Sequence, residues 1–240
     1  TDTERQFWEK NGYLFLEKAM TGPELTNLKQ AFDRCARREK PSWLSGIARG
    51  ERPAGYFDIP NALEQDDAFI DLIDHPSWYP YLMDFTESEL LLLAPQIRTL
   101  PAQPVTYLPW HADVPHTNPL HIKVQVYIED VRPDGGAFGY VPGSHKPDVG
   151  KCPNVQPPET MPGCKVFDGK AGDAILFNSY GWHTSMINKT REARKSIILI
   201  YEKWSELKIT KRETYSAVAN KCTTSKRRKL LGLEPMRSSS

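Results

Sequence analysis

The chain has little cysteine: four residues in 240, at positions 35, 152, 164 and 222, with no Cys-x-x-Cys pair. That excludes the dense disulfide framework on which small secreted domains rely. Cys35 lies on an apolar helical face and reads as core, while Cys152 and Cys164, which bracket a proline-rich loop, read as free thiols. No apolar run approaches the ~20 residues of a membrane-crossing helix, and the N-terminus lacks a signal-peptide pattern. A soluble, cytoplasmic protein is expected, with Thr1 read as a start from which a few residues have been trimmed. An excess of one charge is also missing, since 31 Lys and Arg face 30 Asp and Glu. The overall balance therefore points to neither nucleic acid nor an anionic membrane as partner. Only from Lys203 onward is it uneven, with ten basic residues against three acidic ones, which reads as a solvated tail or surface helix. No internal repeat is present.

What is there divides at Glu89. Residues Thr3 to Asn11 read as a helix stopped by Gly12, followed by a strand Tyr13 to Leu16. Thr21 and Glu24 have capping-box spacing, Pro23 suits a first helical turn, and Leu25, Leu28, Phe32, Cys35 and Ala36 keep helical period up to about Arg38. A loop rich in Gly, Pro and aromatic residues is expected from Pro41 to Pro60, then two short helices over Ala68 to Ile73 and Trp78 to Phe85. After Glu89 strand-like runs dominate: Leu90 to Leu93, Gln96 to Leu100, Val105 to Leu108, Leu120 to Ile128, Gly139 to Val141, Cys164 to Phe167, Ala174 to Phe177, Trp182 to Ile187 and Ser196 to Tyr201. Helices first and short strands after argue for a helix-covered β-sandwich rather than βαβ units. One domain is expected, with 1–88 a mainly helical cover, 89–204 a β-barrel core and 205–240 a C-terminal extension. In the run from Leu120, Leu120, Ile122, Val124, Val126 and Ile128 share one face and His121, Lys123, Gln125 and Tyr127 the other. By alternation alone the apolar face meets the helices and the polar face meets water.

The stretch that carries chemistry is Trp110-His111-Ala112-Asp113. In a strand, residues two apart point to one side, so an imidazole and a carboxylate would stand together. Trp182-His183-Thr184-Ser185 offers a second imidazole from a later strand. Two histidines and one carboxylate make the facial triad of non-haem Fe(II) oxygenases, which leaves coordination positions open. Around these lie Pro133-Asp134-Gly135-Gly136, Val141-Pro142-Gly143-Ser144-His145-Lys146, Ala171-Gly172-Asp173-Ala174-Ile175-Leu176-Phe177, then Ser185, Asn188 and Arg194.

From Phe7 to about Trp204 this ordered set resembles the phytanoyl-CoA dioxygenase family of Fe(II)- and 2-oxoglutarate-dependent oxygenases. The resemblance implies a double-stranded β-helix, the jelly-roll and cupin-like form of a mainly β fold with covering helices. It implies Fe(II) held by His111, Asp113 and His183, with 2-oxoglutarate and O2 in the open positions, and a small organic substrate oxidised as succinate and CO2 are released. Arg194 follows His183 at the spacing of the family's 2-oxoglutarate arginine and shares strand parity with Ser196, whereas the nearby Arg191 falls in a turn. Ser185 resembles the family serine that bonds the same carboxylate. Within such a barrel the polar face of the Leu120 strand would line the interior, making Gln125 a candidate cosubstrate contact and Lys123 and Tyr127 candidates for substrate. Related halogenases have a small residue in place of Asp113, so its presence argues for hydroxylation, desaturation or cyclisation.

The remaining histidines take plainer readings. His75 lies between helices, His116 in a proline-flanked loop and His145 after a turn, while His121 has cavity-side parity but no acidic partner near it in sequence. Arg98 and Gln96 lie on a strand leading to the metal motif and could reach cosubstrate. A demethylase of nucleic acid or protein, a cupin-like enzyme without 2-oxoglutarate and a non-catalytic ligand-binding barrel are the competing readings. The sequence gives no substrate identity.

Overall fold

The change of period at Glu89 is a change of layer. In a computed structural model, described at residues 1–102, 109–155, 160–205 and 215–236, the helical segments cover one face of a β-sandwich. Helix α1 (Asp2–Asn11) begins with the capping box of Thr1 and Glu4 and ends at Gly12, whose φ of 77° is the left-handed stop that glycine tolerates best. The capping box expected at Thr21 does not form. Glu24 reaches instead to His75, with Oε1 and Nε2 2.9 Å apart.

Helix α2 (Gly22–Ala48) also runs ten residues beyond its expected end, straight through Pro41. Pro41 removes one N–H donor, but the carbonyl left without it belongs to Arg37, and Pro41 and Arg37 are both exposed, so water replaces the bond. The apolar period that ends at Arg38 marks where burial becomes sparse, not where the helix stops. Short helices α3 (Ala62–Gln65) and α4 (Asp67–Ile70) precede α5 (Tyr79–Thr86).

The strands are β1 (Tyr13–Leu16), β2 (Phe57–Asp58), β3 (Leu90–Leu100), β4 (His121–Tyr127), β5 (Phe138–Tyr140), β6 (Lys165–Phe167), β7 (Ala174–Asn178), β8 (His183–Ser185) and β9 (Arg194–Lys203). They form two antiparallel sheets, one ordered β1-β7-β4-β9-β3-β2 and the other β6-β5-β8. The two runs expected on either side of Ala94 are one strand, β3, whose register slips between Leu92 and Ala94. The run Val105 to Leu108 lies outside the described residues.

The apolar face of β4 behaves as its alternation requires. Ile122, Val124 and Val126 are fully buried in one core with Leu28, Phe32, Cys35, Phe69 and Trp78 of the helical cover and Ile197, Leu199 and Tyr201 of β9, each large side chain contributing roughly 1.5–3 kcal/mol by burial. The polar face meets the sandwich interior and not water, as the family resemblance implied. A second core of Tyr13, Tyr127, Phe138, Tyr140, Phe167 and Phe177 fills the space between the sheets, with Phe138 and Phe177 ring centroids 4.5 Å apart. With helices as extensive as its two antiparallel sheets, this is a mixed α/β, helix-covered form of the double-stranded β-helix rather than a mainly β one.

Within the basic C-terminal stretch, the described run Lys226 to Lys229 is folded and matched. Helix α6 (Ser225–Leu230) buries Leu230, while Lys226 pairs with Asp74, Arg227 with Asp71 and Asp74, Arg228 with Glu234 and Lys229 with Glu89. No helix among the described residues is long and apolar enough to cross a membrane.

Gly172 joins the layers. Its φ is 92°, its N–H donates to the Tyr127 carbonyl at 2.8 Å and its carbonyl accepts from Met20 N–H at 3.0 Å. A Cβ there would stand 2.0 Å from the Met20 carbonyl oxygen. Gly172→Ala is expected to destabilise the fold by about 2 kcal/mol or more, read as a lowered midpoint in urea unfolding.

Candidate metal centre

His111 and His183 meet through their main chains. His111 N–H donates to the His183 carbonyl at 3.1 Å and His183 N–H to the His111 carbonyl at 2.9 Å. This is one isolated antiparallel bridge and not a ladder, since the chain bends directly after His111. The expected strand at His-x-Asp is therefore absent, and Asp113 is placed by its own bond, N–H to the Ser179 carbonyl at 3.0 Å. A doubly hydrogen-bonded pair sets the two side chains opposite each other, and the rings lie 4.5 Å apart between centroids. His183 is further fixed by the pairing of β8 with Tyr140 of β5.

Both imidazoles are oriented for a cation. His111 Nδ1 lies 2.8 Å from the Pro109 carbonyl oxygen and His183 Nδ1 2.9 Å from that of Gly181. A carbonyl only accepts, so in the neutral rings each Nδ1 carries the hydrogen and each Nε2 presents a lone pair. His183 Nε2 is 3.2 Å from Asp113 Oδ2 and His111 Nε2 is 3.8 Å from Asp113 Oδ1. All three residues offer ligand atoms within 4.8 Å of one another, and buried Asp113 Oδ2 has no hydrogen-bond donor. Two bare nitrogens and an orphaned carboxylate oxygen at that spacing fit a divalent metal.

Lys123 completes this cluster. Its Nζ donates to Asp113 Oδ1 at 2.6 Å, which places a substrate candidate beside a metal ligand. Burial opposes the charge of Asp113, but His183 and the Lys123 ammonium hold its carboxyl well below the usual range. Burial, reinforced by His183, pushes His111 down to about 4, so the ring is in its ligating neutral form at pH 7.

Arg194 and Ser185 come together as expected. Arg194, 4% exposed, donates from Nη1 to the Gly136 carbonyl at 2.7 Å and from Nη2 to Ser185 Oγ at 3.4 Å. Arg191 lies in the outer turn. Gln125 lines the same cavity as the triad, with its Nε2 buried and without an acceptor. Tyr127 does not line it: its hydroxyl donates to the Phe167 carbonyl and accepts from Phe138 N–H, so it braces the sheets. The cavity holds about 220 Å³ and is closed on its apolar side by Phe138, Phe177 and Ile198.

Arg98 and Gln96 also line it. Arg98 donates from Nε and Nη2 to the two carboxylate oxygens of Asp58 at 2.7 and 2.6 Å and lies 4.2 Å over the Tyr56 ring. Asp58 and Tyr56 fall in the stretch read as loop, and only the pairing of β2 with β3 reveals their place. His121 does have an acidic partner: Glu202, opposite it across β4 and β9, with Nε2 and Oε2 2.8 Å apart. His75, His116 and His145 make structural bonds to Glu24, the His145 carbonyl and the Glu9 carbonyl. Asn188 closes a turn onto Thr190 and Glu192, and Trp110 is buried.

Comparison with known proteins places these features. The family model described as Phytanoyl-CoA dioxygenase (PhyH) matches residues 8–196. A protein of Stutzerimonas stutzeri, a probable alpha-ketoglutarate-dependent hypophosphite dioxygenase, is 28% identical over 113 residues, which is 46% of this chain and 36% of that protein. The match thus spans about a third of that relative's length. Among solved structures, the non-heme alpha ketoglutarate dependent carbocyclase SnoK from nogalamycin biosynthesis superposes with a TM-score of 0.66 at 17% identity, covering 85% of this chain and 84% of that one. HygX from Streptomyces hygroscopicus, with nickel, 2-oxoglutarate and hygromycin B bound, does so with a TM-score of 0.62 at 17% identity, covering 86% and 91%. These two likenesses show a shared fold.

Because the folded protein keeps His111 neutral down to about pH 4 and the unfolded chain protonates it near 6.5, the unfolded state binds more protons between those values. Stability therefore falls as pH drops through that window. Urea unfolding of metal-free protein at pH 7 and 4.5 is expected to show wild type losing about 2 kcal/mol more than His111→Asn.

Proposed function

From the premise that this chain belongs to the phytanoyl-CoA dioxygenase family, we propose that it is an Fe(II)- and 2-oxoglutarate-dependent dioxygenase that oxidises a small organic substrate. Hydroxylation, desaturation and cyclisation all fit the intact triad. The observation that carries this reading is the joining of two sites: a facial cluster of His111, Asp113 and His183, and a buried guanidinium, Arg194, set against Ser185 in the same barrel. A cupin-like metal enzyme that needs no keto acid gives Arg194 and Ser185 no task.

In this reading the two Nε2 atoms and one Asp113 oxygen hold Fe(II). The planar guanidinium of Arg194 grips the distal carboxylate of 2-oxoglutarate, a geometry that lysine cannot reproduce. Ser185 Oγ hydrogen-bonds the same carboxylate, and Gln125 Nε2, buried without an acceptor, donates to the cosubstrate. When bound, iron, 2-oxoglutarate and O2 supply the oxidative decarboxylation to succinate and CO2 that drives substrate oxidation. Phe138, Phe177 and Ile198 exclude water from the reacting centre. A cytoplasmic setting suits this reading, since all four thiols are free.

The demethylase reading finds no support in the described part of the basic stretch after Lys203. Nucleic-acid binding needs cations to neutralise phosphates, and Lys226, Arg227, Arg228 and Lys229 are each matched by a carboxylate. The hypophosphite named for the Stutzerimonas stutzeri relative makes small oxyacids worth including beside organic acids in a first substrate screen.

Anaerobic addition of Fe(II) and then 2-oxoglutarate is expected to give the weak visible charge-transfer band of a chelated keto acid. His183→Ala should lose both iron and band. Arg194→Ala should keep iron but raise the 2-oxoglutarate requirement on the order of 100-fold. Wild-type iron content in His183→Ala would sink the metal assignment, and iron bound without the band would sink the cosubstrate.

A further inference from the structure

The charges of the loaded cavity leave one cation over, and it is Lys123. This argument rests on the reading under Proposed function. A divalent metal is balanced by Asp113 and by the cosubstrate carboxylate that chelates it, and Arg194 is balanced by the distal carboxylate. Arg98 is balanced by Asp58 through two charge-assisted bonds. Lys123 alone among the cavity's described cations has as its recorded anion a carboxylate, Asp113, that the metal also claims.

An ammonium so enclosed, with its side chain 12% exposed, is costly without a counter-charge. Among the described residues lining the cavity Asp113 is the only carboxylate, and Gln96, Thr184 and Ser185, which also line it, are neutral. Gln125 presents a buried amide N–H with no acceptor, and Phe177 turns its ring toward Nζ at 5.9 Å. The register supports a shared pocket: Lys123 and Gln125 are successive inward residues of β4, and Gln125 lies in one row with Ile198 of β9 and Gln96 of β3. The interior is therefore rich in donors. Its volume of about 220 Å³ is below the roughly 300–1,000 Å³ of pockets for drug-sized ligands, and the cosubstrate takes part of it.

We infer that the substrate is a small molecule bearing an anionic group, a carboxylate or another oxyacid, and that Lys123 receives that group beside the metal. The ammonium donates to Asp113 Oδ1 at 2.6 Å. With metal and substrate present it is shared between Asp113 and the substrate anion. Lys123 is thus a specificity-determining residue that favours anionic over neutral molecules of the same shape.

The test uses whole protein loaded anaerobically with Fe(II) and 2-oxoglutarate, with the charge-transfer band as readout. Acetate and formate are titrated against acetamide and formamide, their neutral counterparts. The expected result is a saturable shift of the band with at least one anion, and at least tenfold weaker response to its amide. Lys123→Met should weaken the anion response at least tenfold, while Lys123→Arg, which keeps the charge, should retain most of it. Lys123→Gln serves as a second neutral variant. If neither neutral variant holds iron, the anion-to-amide ratio in wild type and Lys123→Arg decides the matter. Equal response to anion and amide, no response to either anion, or a neutral variant that responds like wild type overturns the inference and leaves the proposed function standing. Absence of the band in wild type removes the proposed function itself, and this inference with it.

Discussion

Two main-chain hydrogen bonds between His111 and His183 are the constraint on which the site depends. They tie the stretch after the strand β3 region to the edge of the smaller sheet, across a long interval of sequence. Among the described residues the pair is a single isolated bridge, so it stands without a ladder to reinforce it. Asp113 then needs a separate bond to the Ser179 carbonyl, and Trp110 one to the Val155 carbonyl at 3.2 Å. The candidate ligands His111 and Asp113 thus sit on a loop pinned at three points, to His183 of β8, to Ser179 in the turn after β7 and to Val155 of a second loop. Loops held on rigid scaffolds are where chemistry is usually placed, because their local geometry is not dictated by a repeating ladder.

The same sheet serves two opposite solvents. Outward, β4 and β9 present valines, leucines and isoleucines to the helices, and burial alone explains their place. Inward, they present Lys123, Gln125, Ser196 and Arg194, and a little further along His121 paired with Glu202. Burying such groups is costly unless each is hydrogen-bonded or charge-matched. Most are matched; the buried atoms without a hydrogen bond include Gln125 Nε2, Ser196 Oγ and Arg194 Nε on these strands and Asp113 Oδ2 on the adjoining loop, and of these Gln125 and Asp113 line the cavity where a ligand is expected. The polar interior of this barrel is therefore organised around something other than the fold's own stability.

How much of this could be read in advance depends on whether the signal was local. The β4 alternation, the Gly12 stop and the Trp182-His183 motif are local, and each gives its element correctly, whereas His111-x-Asp113 gives the candidate ligands but not their element, a single bridge followed by a bend. Whether the polar face of β4 met water or a cavity was not local: alternation cannot distinguish the two, and the resemblance alone pointed inward. The end of α2 is not legible because Pro41 predicts a break, whereas on an exposed face water substitutes for the missing bond. Glu24 has capping-box spacing but bonds His75, and the carboxylate that His121 lacks nearby in sequence comes from Glu202 of β9, the neighbouring strand in the sheet. Tyr127 had the right parity for the cavity but lies at the row where the second sheet covers it. Asp58 and Arg98 meet only through sheet pairing, which spacing along the chain does not encode.

The orientation of both imidazoles comes from carbonyl oxygens, those of Pro109 and Gly181, and the bridge between them is also main chain. A carbonyl is supplied by every residue type. Substitution around the ligands can therefore proceed widely without disturbing how the rings are aimed, provided the backbone path is kept. Such a centre is held by the shape of the chain and only lightly by its neighbours' identities, a demand that a fold shared at 17% identity can meet with very different sequences.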